Sequence, residues 1–137
     1  MVDKIIVPQL QTFEEIRHHD VEGNDFWLAR QLSKVLDYSQ YRHFQVVIDR
    51  AKEACQKSNQ RVVDHFEDIL NMVNIGSGAK RQLQDIRLSR YACYLIVQNG
   101  DSSKAVIALG QTYFAIQARR QELSDQQNFQ QLSEDQQ

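Results

Sequence analysis

At 137 residues, with 42% hydrophobic side chains and a formal net charge of -2, the chain has the size of one globular domain and is too short for two independent cores. No apolar run approaches the length of a membrane span, and the opening Met1-Val2-Asp3-Lys4 lacks the hydrophobic stretch of a signal peptide, so a soluble, cytoplasmic protein without a membrane partner is expected. The charge is uneven: residues 1–25 hold two basic and six acidic side chains, residues 26–120 fourteen and eight, and residues 121–137 none and four, which leaves a basic middle able to attract phosphates.

In chain order, Phe13 to His19 and Asp25 to Leu28 read as extended segments about the turn Asp20-Val21-Glu22-Gly23-Asn24, a β-hairpin. As neighbours on a strand, His18 and His19 face opposite sides, one exposed and one partly packed. Apolar positions 28, 29, 32, 35 and 36 fall on one side of a short amphipathic helix. Asp37-Tyr38 breaks it, and Ser39 is placed to cap a second helix that turns Tyr41, Phe44, Val47, Ile48, Ala51 and Cys55 inward and ends near Lys57-Ser58-Asn59. The Asp64-to-Glu67 spacing of a capping box predicts a brief helix over His65 to Leu70, burying Phe66, Ile69 and Leu70.

Met72, Val73 and Ile75 precede Gly76-Ser77-Gly78, and Leu83 and Ile86 follow it, a pattern that fits two strands about a glycine turn. Leu88-Ser89 opens a buried helix over Arg90 to Gln98, which Asn99-Gly100 would stop in the left-handed conformation. Asp101 is placed to cap a last helix from Ser102 to about Leu123. Its two apolar stripes, Val106, Leu109, Tyr113 and Ile116 beside Ile107, Gly110, Phe114 and Ala118, suit a helix lying between neighbours within the subunit or across a homodimer. Gly110 either admits a close approach or is merely tolerated. From Ser124 the Gln-rich end has little to bury and reads as a frayed helix, a tail or the start of a connector.

Several chemistries are excluded by spacing. A phosphate-gripping nucleotide loop needs a Gly-Lys pair followed by Ser or Thr, whereas Lys80 follows Ala79 and Arg81 stands at the hydroxyl position. Cys55, Cys93 and the four histidines show no zinc spacing, and the cysteines read as reduced core thiols. Asp49 and Glu53 share a helix face, but Arg50 and Lys52 lie among them, as on ordinary surface helices. No enzyme, cofactor or metal is expected.

Two basic features remain. The helix before Asp37-Tyr38 and the polar first turn Ser39-Gln40-Tyr41-Arg42-His43 form either an ordinary αα corner or a two-helix unit offering Gln40, Arg42 and His43 to DNA. Lys80 and Arg81, with Arg87 and Arg90 following, either are solvated charges or lie along a phosphate backbone. Tyr38, Tyr41, Tyr91 and Tyr94 are spaced for core packing more than for stacking on single-stranded bases.

The stretch from Phe26-Trp27-Leu28 through Leu36-Asp37-Tyr38 resembles the opening of the Bro-N domain, the N-terminal module of phage antirepressors and baculovirus repeated proteins. FEEIRHHDVEGNDFWLAR at 13–30, YSQYRHF with IDRAKEAC at 38–55, and GSGAKR through LSRYACYLIVQNGD at 76–101 are similar to the bacterial damage-inducible members of that family. The resemblance covers about residues 12 to 123. It implies an α+β fold, mostly helical with short β-hairpins and a long C-terminal helix, acting in the SOS response as a DNA-binding domain without catalytic site or cofactor. It divides the chain into an N-terminal extension (1–11), the Bro-N-like domain (12–123) and a Gln-rich tail or connector to a further domain (124–137). Asp37 stands where the family more often has glycine. The rival expectation is a protein-interaction module, serving a homodimer or a recombination or repair protein.

Overall fold

The computed structural model describes residues 12–135, with side chains through Leu132; the expected extension at 1–11 lies outside that range. The described chain runs β1 (His18–His19), β2 (Asp25–Leu28), α1 (Ala29–Val35), α2 (Tyr41–Lys57), α3 (Val62–His65), β3 (Phe66–Asn74), β4 (Lys80–Leu88), α4 (Arg90–Gln98) and α5 (Ala105–Asp135). This is the mixed helix-and-hairpin fold with a long C-terminal helix that the sequence led us to expect.

The strands form one antiparallel sheet in the order β1-β2-β4-β3. β3 and β4 pair over nine positions, from Phe66 opposite Leu88 to Asn74 opposite Lys80. β2 meets β4 only at Trp27 opposite Leu88 and Leu28 opposite Arg87, so the β3–β4 ribbon leaves the body of the sheet at its base. Between sheet and helices lies a core in which Trp27, Leu32, Phe44, Ile48, Leu88, Ile96 and Ile107 are fully enclosed. Trp27 stacks on Phe13 at 4.6 Å, and its indole Nε1 donates to the Phe13 carbonyl at 2.9 Å, which satisfies the one polar atom of the largest buried side chain.

Two expected elements differ. Residues 12–15 are helical rather than extended, because a helical turn brings Phe13 and Ile16 to the same side, where Phe13 meets Trp27 and Ile16 packs on the core. The strand of the first hairpin is therefore only His18–His19; His18 stacks on Phe26 and His19 is exposed beside Asp25. Residues 66–70 are strand, not helix: pairing with Gln84 to Leu88 supplies long-range hydrogen bonds that outweigh a local capping signal. Only Phe66 of the three expected apolar residues is buried there, and Leu70 is exposed.

Helix ends differ as well. Gln40, not Ser39, occupies the N-cap of α2, and no side chain caps it. Asn99 and Gly100 end α4 without entering the left-handed region; Gly100 instead sits close against Ile107, where a Cβ would lie 3.0 Å from Ile107 Cδ1. Asp101 holds the turn before α5 by accepting from the Ser103 amide and hydroxyl, which lowers its carboxyl pKa, and the helix begins at Ala105. Gly110 permits close approach, its absent Cβ being 3.1 Å from Val97 Cγ1. The stretch from Ser124 continues α5 as helix to Asp135.

The other helical expectations stand. Phe44, Val47, Ile48, Ala51 and Cys55 are buried on α2, and Ser89 caps α4 by accepting from the Ala92 amide. Cys55 and Cys93 are free and buried, and burial pushes both thiols above their usual pKa.

Candidate nucleic-acid interface

The outer part of the β3–β4 ribbon is a bare arm. Residues 74–82 are all exposed. Its turn needs the left-handed conformation at three successive positions, Gly76 (φ 99), Ser77 (φ 50) and Gly78 (φ 75), and two glycines supply it without a Cβ penalty. The Ala79 amide donates to the Gly76 carbonyl at 2.9 Å and the Ile75 amide to Ala79 at 3.1 Å, closing the turn. Lys80 and Arg81 follow on opposite faces of the ribbon, and neither has an ion-pair partner within 4.0 Å among the described residues. From Ile69 to Gln84 the sequence contains no carboxylate.

The base of the same ribbon treats its cations differently. Arg87 lies over the Phe26 ring at 4.4 Å with Glu67 opposite it, in a cleft of about 450 Å³ that Asp20, Asp25 and Asp64 also line. Its buried Nε has no hydrogen-bond partner among the described residues. Arg90 donates to Glu14 at 3.1 Å, stands 3.6 Å from Asp25 and covers the Trp27 ring at 4.9 Å. Burial opposes the Arg90 charge, but the hydrogen bond and charge of Glu14 outweigh it and raise the pKa. Seven residues of strand, roughly 23 Å, separate Arg87 from Lys80. The four cations expected to act together therefore form two groups.

The α1–α2 corner turns at Asp37, whose φ of 65 takes the left-handed conformation that glycine would provide more cheaply. The Tyr38 amide donates to Ser33 at 2.9 Å, and Lys104 Nζ donates to the Asp37 carbonyl at 3.0 Å while standing over the Tyr38 ring, which locks the corner to the start of α5. Asp85 of β4, itself 6% exposed, accepts from the Arg30 amide at 3.1 Å, capping α1 from another strand where Leu28 has no capping side chain. Asp85 is thus an internal fastening, held also by Asn71 at 3.4 Å.

Between this corner and the inner face of the ribbon runs a groove of about 470 Å³. Arg30, Gln31, Lys34 and Tyr41 form one wall; Asn71, Val73 and Leu83 form the other. A neighbouring cleft of about 710 Å³ continues along α2 past Gln45 and Lys52, with Asp68 and Gln84 opposite. Arg30 bridges the two walls, its Nε donating to the Gln84 carbonyl at 2.7 Å and its guanidinium lying 4.2 Å from the Tyr41 ring centre. Burial raises the Tyr41 phenol pKa.

Of the expected base readers, Gln40 and Arg42 are exposed and tied by an Arg42 Nε to Gln40 Oε1 hydrogen bond of 2.7 Å, but neither lines the groove. His43 points elsewhere, into a cleft shared with Arg50, Asn99 and Asp101. Arg30, Lys34, Gln45 and Lys52 were missed by sequence reasoning; the four-residue step from Arg30 to Lys34 on the polar side of α1 was the available signal. Among the tyrosines, Tyr38 is buried, Tyr41 and Tyr91 are partly buried, and Tyr94 packs edge-on against Phe114. Among the described residues no cluster of His, Cys, Asp or Glu is arranged to hold a metal ion, and no helix is long and apolar enough to cross a membrane.

Residues 15–115 match the family described as BRO family, N-terminal domain. The chain is 64% identical over 125 residues to DNA damage-inducible protein D of Escherichia coli strain K12, an overlap that takes in 91% of this chain and 46% of that protein. The chain thus spans about half the length of the relative it matches. No solved structure matches it significantly.

Proposed function

The chain belongs to the BRO family through its N-terminal domain, and on that premise we propose that it is a non-catalytic DNA-binding module of the DNA-damage response. The damage-response assignment extends the name of the E. coli relative to this chain. The observation that carries the DNA reading is the arm: nine consecutive exposed residues, two unpaired cations and no carboxylate between Ile69 and Gln84. Such a ribbon can follow a phosphate backbone or enter a groove of duplex DNA, with the Arg30 and Lys34 side of the α1–α2 corner beside it and Gln40 and Arg42 exposed at the start of α2.

Phosphate contacts release counterions, so binding must weaken steeply with salt. Lys80→Ala together with Arg81→Ala is expected to lower affinity across sequences and reduce the log-log salt slope by about 2, with thermal stability unchanged. A mobility-shift series over ionic strength measures this; equal slopes for variant and native chain would remove the arm from the proposal. Arg87 and Arg90, held among carboxylates, serve here as anchors of the arm's base.

A second reading rests on α5. Beyond Phe114 the described helix is exposed on every side, and Ile116, Leu123, Phe129 and Leu132 lie on it uncovered. That surface suits a protein partner or a second copy, and either is compatible with DNA held by the arm.

A further inference from the structure

We propose that the arm does more than follow phosphates: its apolar side chains wedge between base steps from the minor groove and bend the duplex. This rests on the DNA reading above and adds to it a mechanism and a preferred DNA shape.

Three features of the arm carry it. First, the tip is built from Gly76, Ser77, Gly78 and Ala79, so the ribbon ends in a narrow blade whose first bulky residue is Ile75. Second, Ile75 is 59% exposed, and Met72 and Leu70 behind it are 58% and 61% exposed, an apolar load that neither phosphate contact nor solvent rewards. Third, this apolar material is flanked by Lys80 and Arg81 and by the amides Asn74, Gln82 and Gln84, with no carboxylate to repel a polyanion.

The strand register assigns the parts. Residues directly opposite share a face, so Met72 lies beside Gln82, with Lys80 next along the same face, whereas Val73 lies beside Arg81, and Ile75 continues that second face. Each face of the tip therefore pairs one cation with one exposed apolar side chain. Cations on both faces suit a blade with a phosphate strand on either side, which is the situation inside the minor groove. That groove is about 6 Å wide in straight duplex and must open to admit a ribbon. Sliding Ile75 or Met72 between unstacked bases buries the apolar surface, while the amides meet the acceptors on the groove floor. A protein partner with an acidic rim would satisfy the same charges, but it would leave DNA shape unchanged.

The test uses the 137-residue chain and an end-labelled duplex of about 40 base pairs, short against the persistence length of DNA, read by energy transfer between its ends. Binding is expected to raise the transfer efficiency. A duplex of the same sequence carrying a two-nucleotide bulge, which is already kinked, is expected to bind about tenfold tighter. Ile75→Ala with Met72→Ala, both at exposed positions and so neutral for folding by circular dichroism, should leave transfer at the free-DNA value, abolish the preference for the bulge and keep the salt slope. Binding by the native chain with an intact salt slope but no change in transfer and no preference for the bulge overturns the wedge while leaving the DNA reading in place. No binding of either duplex at low salt overturns both.

Discussion

The two ends of one ribbon make the most instructive contrast in this protein. At its base, Arg87 and the neighbouring Arg90 are surrounded by Glu14, Asp25 and Glu67 and lie over the Phe26 and Trp27 rings. At its tip, Lys80 and Arg81 have neither carboxylate nor ring beside them among the described residues. Four basic residues within eleven positions of sequence thus sit in two different surroundings. Local charge counting cannot separate them, because the acids that neutralise Arg90 come from Glu14 and Asp25, far away in the chain. A cation matters to a polymer of phosphates only where the fold has not already given it a partner.

The contrast can be broken at its fastening point. Asp85 is the link between ribbon and α1, and Asp85→Ala leaves the Arg30 amide without its buried partner; a loss of about 1–3 kcal/mol is expected, seen as a lower urea midpoint at unchanged slope. An unaltered midpoint would mean that the arm's base is held by the strand ladder alone. A smaller effect should follow at the base itself. Arg90 is part-exposed, so solvent screens its ion pairs, and Arg90→Ala should cost below about 1 kcal/mol while leaving the salt slope for DNA where it was. That is the reverse of the result expected for Lys80 and Arg81, and a slope that fell for Arg90→Ala as well would erase the distinction between base and tip. The smallest effect is that of Asp37→Gly at the corner, which should stay within about 0.5 kcal/mol of the native chain, while Asp37→Val, β-branched at a left-handed φ of 65, is the control that should lose more. Thermal melts of the two variants side by side would check it.

Much of this was legible beforehand. The steps of three and four from Phe44 to Cys55 locate the buried face of α2, and Ser89 followed by an apolar run locates the start of α4, because those signals act within a few residues. The glycines about Ser77 likewise place the arm and its basic tip. The misread stretches share a cause: Phe13 turns helical to reach Trp27, and Phe66 to Leu70 becomes strand to pair with β4, both through contacts distant in sequence. The groove walls Arg30 and Lys34 escaped for the same reason, lying on a helix that Asp85, 55 positions beyond Arg30, caps from the ribbon.

By itself, then, the sequence determined the helices of the core, the hairpin turn at Gly76-Ser77-Gly78 and the family to which these motifs belong, since periodicity, capping and backbone freedom are local properties of the chain. Only the tertiary structure decided what surrounds each of the basic residues. Ion pairing depends on distance in space, and the fold sets Arg90 against Glu14 and Asp25 and lays Arg87 over the Phe26 ring, while Lys80 and Arg81 stand on an arm with no described carboxylate within 4.0 Å.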